Sequence, residues 1–258
     1  MTQYEIYAIK YAHHARRASE NFLGGDPHDG PMPLDYFVWL IRGEGREIVV
    51  DTGFSAAMAR KRGREHLRCP TEALRMLGCE ANTVKDVVIT HLHYDHVGNF
   101  DLFPAATLHL QDLEMQYATG RQMLEERQRY AYEVEEVVGM VRRVYENRVR
   151  FHNGDAQLAS DVSVHLIGGH TMGMQAVRVK TRRGWVVLAS DASHFYENME
   201  QTRPFPIVWS VPEMVDGYRK LRALAESPGH IIPGHDPLVL ERYPAASHEL
   251  QGIVARLD

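Results

Sequence analysis

The chain has 258 residues, a net charge of −5 and 44% hydrophobic residues, an ordinary globular composition with enough length for a sizeable core. No apolar run is long enough to cross a bilayer, and the mildly acidic balance argues against nucleic acid as a partner. The first residues lack a basic-then-apolar leader, and there are only two cysteines, Cys69 and Cys79; a cytoplasmic location with reduced thiols is expected, with their pairing left open.

Residues 5–9 read as a short strand, followed by a Gly-, Asp- and Pro-rich loop over 24–33. Two further strands, 36–41 and 47–50, flank the turn residues of 43–46 and make a hairpin ending on Asp51-Thr52-Gly53. Thr71 is the expected cap of a helix that carries Leu74 and Leu77 and stops near Gly78. The basic cluster Arg60, Lys61, Arg62 and Arg64, and the pair Arg142 and Arg143, read as solvated helix faces.

A buried strand at 84–90 runs straight into His91-Leu-His93-Tyr-Asp95-His96, and 107–110 is another strand. Residues 113–148 are expected to be mostly helical. Within them Tyr130, Val134, Val137, Val138, Val141, Val144 and Tyr145 recur at helical spacing, the pattern of a helix packed on a sheet. Strands at 162–167, 176–180 and 185–189 follow. Ser210 and Glu213 form a capping-box pair, with Pro212 in the first turn of a helix reaching about Ala225. Ile231 and Ile232 then lead to Pro233-Gly234-His235. No repeat or linker interrupts the chain, so one domain over 1–258 is expected: two sheets covered by helices.

Fifteen histidines are present, and a high count alone means little, so position has to decide. His91, His170, Asp191 and His235 each follow an apolar strand at the point where the chain turns. A sheet can align such strand ends along one rim, and the glycines before His170 and His235 permit sharp bends and close approach. His91, His93, Asp95 and His96 place four ligand-type side chains within six positions. Imidazole nitrogen and carboxylate oxygen together suit zinc and similar divalent ions.

These residues carry a resemblance. His91-x-His93-x-Asp95-His96, with Asp51-Thr-Gly53, Gly169-His170, Ser190-Asp191 and Pro-Gly-His235 in that order, resembles the metallo-β-lactamase superfamily over about residues 34–236. The resemblance implies an αββα sandwich, an α/β fold of two mixed sheets flanked by helices, with two metal ions at one rim. By that likeness His91, His93 and His170 hold the first ion, Asp95, His96 and His235 hold the second, and Asp191 bridges them. Asp51 would orient ligands without touching metal. Zinc is the default, and manganese, iron or cobalt suit the same donors. A hydroxide bridging two ions roughly 3.5–4 Å apart would attack a carbonyl carbon, with Asp95 passing a proton to the leaving group.

Within the superfamily, the 36–53 hairpin and Ser190-Asp191-Ala-Ser-His194 look most like the N-acyl homoserine lactonase branch, the quorum-quenching lactonases. The implied activity is opening of the ester ring of a small lactone; hydrolysis of another ester, a thioester or an amide, as in glyoxalase II-like or β-lactamase-like members, is the alternative. That branch usually has a tyrosine where this chain has His194, whose imidazole can still donate a hydrogen bond to substrate; Tyr196 is a second candidate for that role. Tyr11, His13 and Phe22 belong to an N-terminal segment that covers the pocket in that branch and are expected to line it, with His14 and His28 close by. Met172 and Met174 fit either pocket wall or core. His109 and His165 are expected to face solvent or a helix. The expected partner is a small molecule, without nucleic acid or membrane, and a homodimer is expected by resemblance alone.

Overall fold

In a computed structural model describing residues 3–258, two β-sheets stack face to face with helices on both outer sides. The first sheet contains β1 (Glu5–His14), β2 (Leu34–Gly43), β3 (Arg46–Val50), β4 (Glu65–His66), β5 (Asp86–Val88), β6 (Thr107–Gln111) and β7 (Val149–His152). The second contains β8 (Ala156–Ala159), β9 (Val162–Leu166), β10 (Gln175–Thr181), β11 (Gly184–Ser190) and β12 (Ile231–Pro233), and β13 (Val254–Arg256) returns to the first sheet beside β1. β3, β5, β6 and β7 run parallel to one another, and β1, β2 and β3 are antiparallel, so the first sheet is mixed.

The near-continuous apolar run of β2 follows from this layering. Phe37, Trp39 and Ile41 face the second sheet, while Tyr36, Val38 and Leu40 face the outer helices, because alternate side chains of a strand point to opposite faces. β1 divides the same way, with Ile6 and Ala8 inward and Tyr7, Ile9 and Tyr11 outward. Helix Val211–Leu224 covers the second sheet through Met214, Tyr218 and Leu221. Among the described residues no helix is long and apolar enough to cross a membrane.

Several local expectations change. Helix Ala56–Arg62, unread in the sequence, starts at Ser55, whose hydroxyl accepts from the Met58 N–H, and ends at Gly63 in the left-handed region. That turn takes Arg64 off the helix surface, so Arg64 is half-buried rather than solvated. The next helix is Pro70–Met76, capped by Cys69 instead of Thr71, because proline at the first position needs no N–H partner. Both cysteines are free.

The 113–148 region breaks into Asp112–Ala118, two short turns and Val134–Tyr145. Met140 is the buried residue of that last helix, whereas Val134 is 73% and Tyr145 86% exposed. The valine-rich periodicity fits two overlapping faces, and the packing of Gly139 against Phe100 selects the other one. Ser210 caps its helix as expected, but its own N–H bonds Gly169 rather than Glu213, so only half of the capping box forms. His109 and His165 are buried rather than solvent-facing. β7 was not foreseen; it covers β6 and brings His152 against His109, which also bonds Asp86. His165 meets Ser163 and Asp155.

Candidate metal centre

The strand register brings distant residues to one rim. Val50 of β3 lies level with Val88 of β5, and Ser190 of β11 with Pro233 of β12. Each chain then turns outward, delivering Asp51, His91, Asp191 and His235 to the same edge. Gly234 makes a close approach: a Cβ there would lie 2.8 Å from Asp191 Oδ1. Only glycine lets the chain pass so close to that carboxylate.

Two donor sets meet at Asp191. On its Oδ2 side, His91 Nε2 lies at 3.8 Å and His170 Nε2 at 3.2 Å, and both rings approach His93 Nδ1 at 3.0 Å. On its Oδ1 side, His96 Nε2 lies at 3.3 Å and His235 Nε2 at 2.9 Å, with Asp95 Oδ2 at 3.5 and 3.8 Å from those two nitrogens. All seven side chains are buried. The structure therefore brings together the seven residues singled out from the sequence.

The far nitrogens of three rings show which way the near ones face. His170 Nδ1 donates to the Ile207 carbonyl at 2.8 Å, His235 Nδ1 to the Asp35 carbonyl at 2.9 Å, and His96 Nδ1 to Asp51 Oδ2 at 2.8 Å. Each Nε2 therefore presents a lone pair to the centre. His235 Nε2 and Asp191 Oδ1 are then two acceptors 2.9 Å apart, and His96 Nε2 and Asp191 Oδ1 are buried without a hydrogen-bond partner among the described residues. Likewise, at most one of the two contacts to His93 Nδ1 can be a hydrogen bond. Converging lone pairs in a dry site repel unless cations lie among them, and nitrogen and oxygen donors in sets of three and four are the chemistry of zinc. The residues fit two divalent ions.

Electrostatics point the same way. Burial, reinforced by the neighbouring imidazoles, pushes the His91 and His93 proton affinities well down. Burial also disfavours charge at His96 and His235, but the carboxylates of Asp191 and Asp95 outweigh it and push both up. The field that would hold a proton there also favours a metal cation.

Asp51 sits at φ +61°, a region costly for a non-glycine residue. Its carboxylate accepts from the Thr90 N–H (2.8 Å), the Thr90 hydroxyl (2.9 Å) and His96 Nδ1. These bonds hold the strained turn and aim His96.

A model of the metallo-beta-lactamase superfamily matches residues 32–241. The chain belongs to that superfamily. Among curated relatives, a probable metallo-hydrolase of Mycobacterium tuberculosis is 26% identical, the match covering 88% of this chain and 77% of that protein. The N-acyl homoserine lactonase AttM of Azorhizobium caulinodans is 28% identical over 67% of this chain and 66% of its own length. A solved structure of a quorum-quenching N-acyl homoserine lactone lactonase superposes with TM-score 0.76 at 23% identity, covering 92% of this chain and 93% of that one. That similarity shows the shared metallo-β-lactamase fold, the αββα sandwich read from the motifs.

A small cavity of about 70 Å³ opens above the metallo-β-lactamase donor cluster. His93, Asp95, His170, Asp191, His194 and His235 form its floor. His194 Nε2 lies 3.0 Å from Asp191 Oδ2, and its ring stacks on Phe205 at 3.6 Å. Burial lowers the His194 pKa to about 3, which favours the neutral ring.

Tyr11, His13, Phe22 and Tyr196 are not among the cavity's lining residues. The Tyr11 hydroxyl donates to the Asp95 carbonyl (2.9 Å), bracing the metal loop from behind. His13 bonds Asp35 (2.7 Å), Phe22 lies under Arg203, and Tyr196 lies under Arg242. Met174 is core, and Met172 packs against the helix-side core. The walls are instead Leu34, Tyr36, Tyr94, Phe205 and Ile207, with Arg16 and Arg64. Tyr94 was legible as the residue between His93 and Asp95. Nothing in the local sequence marked the two arginines, which come from separate segments.

Proposed function

We propose that the chain works as one hydrolase domain that binds two divalent ions, most simply zinc, and opens the ester ring of a small lactone. The observation that carries the reading is the division of Asp191, with Oδ1 turned to one donor set and Oδ2 to the other. Two ions bound there would supply Lewis acidity and an activated water. Hydrolysis adds water across the ester C–O bond, so the departing alkoxide oxygen needs a proton. Asp95 would take that proton from the attacking water and pass it on, a role supported by its carboxylate lining the cavity beside His96 and His235. His194 keeps Asp191 in place with its Nε2–H and walls the cavity by stacking on Phe205. Such a role differs from donation to the substrate, the role implied by the tyrosine usual at this position.

A lactone is favoured over other esters by the relatives. AttM is named an N-acyl homoserine lactonase, and an N-acyl homoserine lactone hydrolase of the same fold holds N-hexanoyl-L-homoserine at its catalytic metal centre.

The test is metal analysis of purified protein combined with acid release from a lactone panel, with a thioester and a β-lactam as comparison arms. Two ions per chain and lactone opening are expected, and chelation should abolish that opening. Turnover of the thioester or β-lactam alone would overturn the lactone assignment. His194→Phe should lower kcat while retaining both ions; full activity would refute its role.

A further inference from the structure

Two cations with no carboxylate partner stand at the cavity that holds the metal-site donors. Arg16 and Arg64 both line it and both are half-buried. Among the described residues neither has a carboxylate within 4.0 Å, whereas nearby Arg17, Arg62 and Arg203 pair with Asp29, Glu133 and Asp26. Arg16 Nη2 donates to the Glu20 carbonyl, but its Nε is buried without a hydrogen-bond partner among the described residues, and its guanidinium lies 5.1 Å from the Phe205 ring centre. Phe205 in turn stacks on His194, so Phe205 alone separates Arg16 from the ring that touches Asp191. Arg64 bonds the Tyr94 hydroxyl through Nε (3.2 Å), and its Nη1 is taken by His14 (3.1 Å) and the Arg62 carbonyl (2.7 Å), while among the described residues its Nη2 makes no hydrogen bond. The only carboxylates lining the cavity are Asp95 and Asp191, both in the metal cluster. The cavity wall that Arg16 and Arg64 form is therefore positive, with Arg16 Nε and Arg64 Nη2 open. Desolvating a cation without an anion is unfavourable, and a guanidinium's planar fork matches a carboxylate.

We propose that the substrate carries, besides its scissile ester, a carboxylate that Arg16 and Arg64 receive at that wall of the cavity. The inference rests on the lactone hydrolase reading and narrows it from lactones in general to acidic ones. An unsubstituted apolar acyl chain would leave both guanidiniums without an anion.

Two measurements test it on the zinc-loaded protein. The first compares kcat/KM for a γ-butyrolactone bearing a ring carboxylate with the same ring bearing a carboxamide. The second compares calorimetric affinities for glutarate and butyrate, where one carboxylate can reach the ions and only glutarate has another for the arginines. Wild type should favour the carboxylate lactone and glutarate. In Arg16→Gln/Arg64→Gln both preferences should fall on the order of 10- to 100-fold, the worth of charge-assisted hydrogen bonds. Arg219→Gln, an exposed arginine elsewhere, should keep both. If the double variant loses zinc or fails to fold, the single variants give the same two ratios.

Equal treatment of the two lactones and the two acids by wild type would overturn the proposal while leaving the hydrolase reading intact. A glutarate preference lost in the variant, with neither lactone opened, would retain the anion site and remove the lactone reading. Preference for a phosphonate of matching length would assign the pair to a tetrahedral anion and overturn the carboxylate.

Discussion

Replacing Glu114 by glutamine should loosen the metal site without touching a ligand. Glu114 lies at the start of helix Asp112–Ala118 and is fully buried. One carboxylate oxygen accepts from the Leu92 N–H (2.9 Å) and the Tyr132 hydroxyl (2.8 Å). The other accepts from the Thr171 hydroxyl (2.6 Å) and the Gly173 N–H (3.2 Å). Leu92 sits between His91 and His93, Thr171 follows His170, and the Tyr132 ring packs edge-on against His93 at 4.6 Å. One side chain thus ties together both loops of the Oδ2-side donor set. Burial pushes its carboxyl up, and the four donors pull it back towards the charged form.

Glutamine keeps the shape but turns one acceptor oxygen into a donor. If the amide nitrogen faces Leu92 and Tyr132, or Thr171 and Gly173, a hydroxyl can rotate to accept, but a backbone N–H cannot. One buried N–H is left unpaired, at about 1–3 kcal/mol, and charge-assisted bonds weaken besides, so a loss of about 2–4 kcal/mol in unfolding free energy is expected. Because His93 and His170 lose their support, zinc affinity should fall about 10- to 100-fold. Urea unfolding of the metal-free protein reads the first effect, and chelator competition the second. A change below about 0.5 kcal/mol together with unaltered zinc affinity would refute the bracing role, since surface positions alone behave that way.

Asp51→Asn tests tautomer control. Asparagine tolerates the positive φ, but its amide N–H would face His96 Nδ1 if its oxygen keeps the Thr90 N–H, driving the imidazole proton to Nε2 and removing that lone pair from the centre. Affinity for one of the two proposed ions should drop about 10- to 100-fold, read by chelator titration; metal held as in wild type would contradict it. His152→Gln probes acid stability away from the metals. Burial, then His109 and Arg150, lowers the His152 pKa to about 4 from 6.5. The folded state then binds fewer protons than the unfolded one, so stability is unaffected above pH 6.5 and falls from there to about pH 4. The variant should recover up to about 2–3 kcal/mol of that loss, visible as a shallower decline of Tm with falling pH; parallel Tm curves would argue against it.

Much of the architecture and the donor set was legible in the sequence for one physical reason. Strand-ending His and Asp residues are local features: an apolar run, a turn and a ligand side chain follow one another within about ten residues, and the period-two burial of β2 shows as a continuous apolar stretch. What tertiary structure alone decided depends on separate segments meeting. The face that helix Val134–Tyr145 buries was set by Phe100 against Gly139, and the covering of His109 by β7 depends on a partner strand 43 residues away. The bracing by Glu114 and the pairing of Arg16 with Arg64 at the cavity join residues whose own neighbours carry no trace of the other. Periodicity reports which side of an element is apolar; only packing determines what that side meets, and which charges are left facing a substrate.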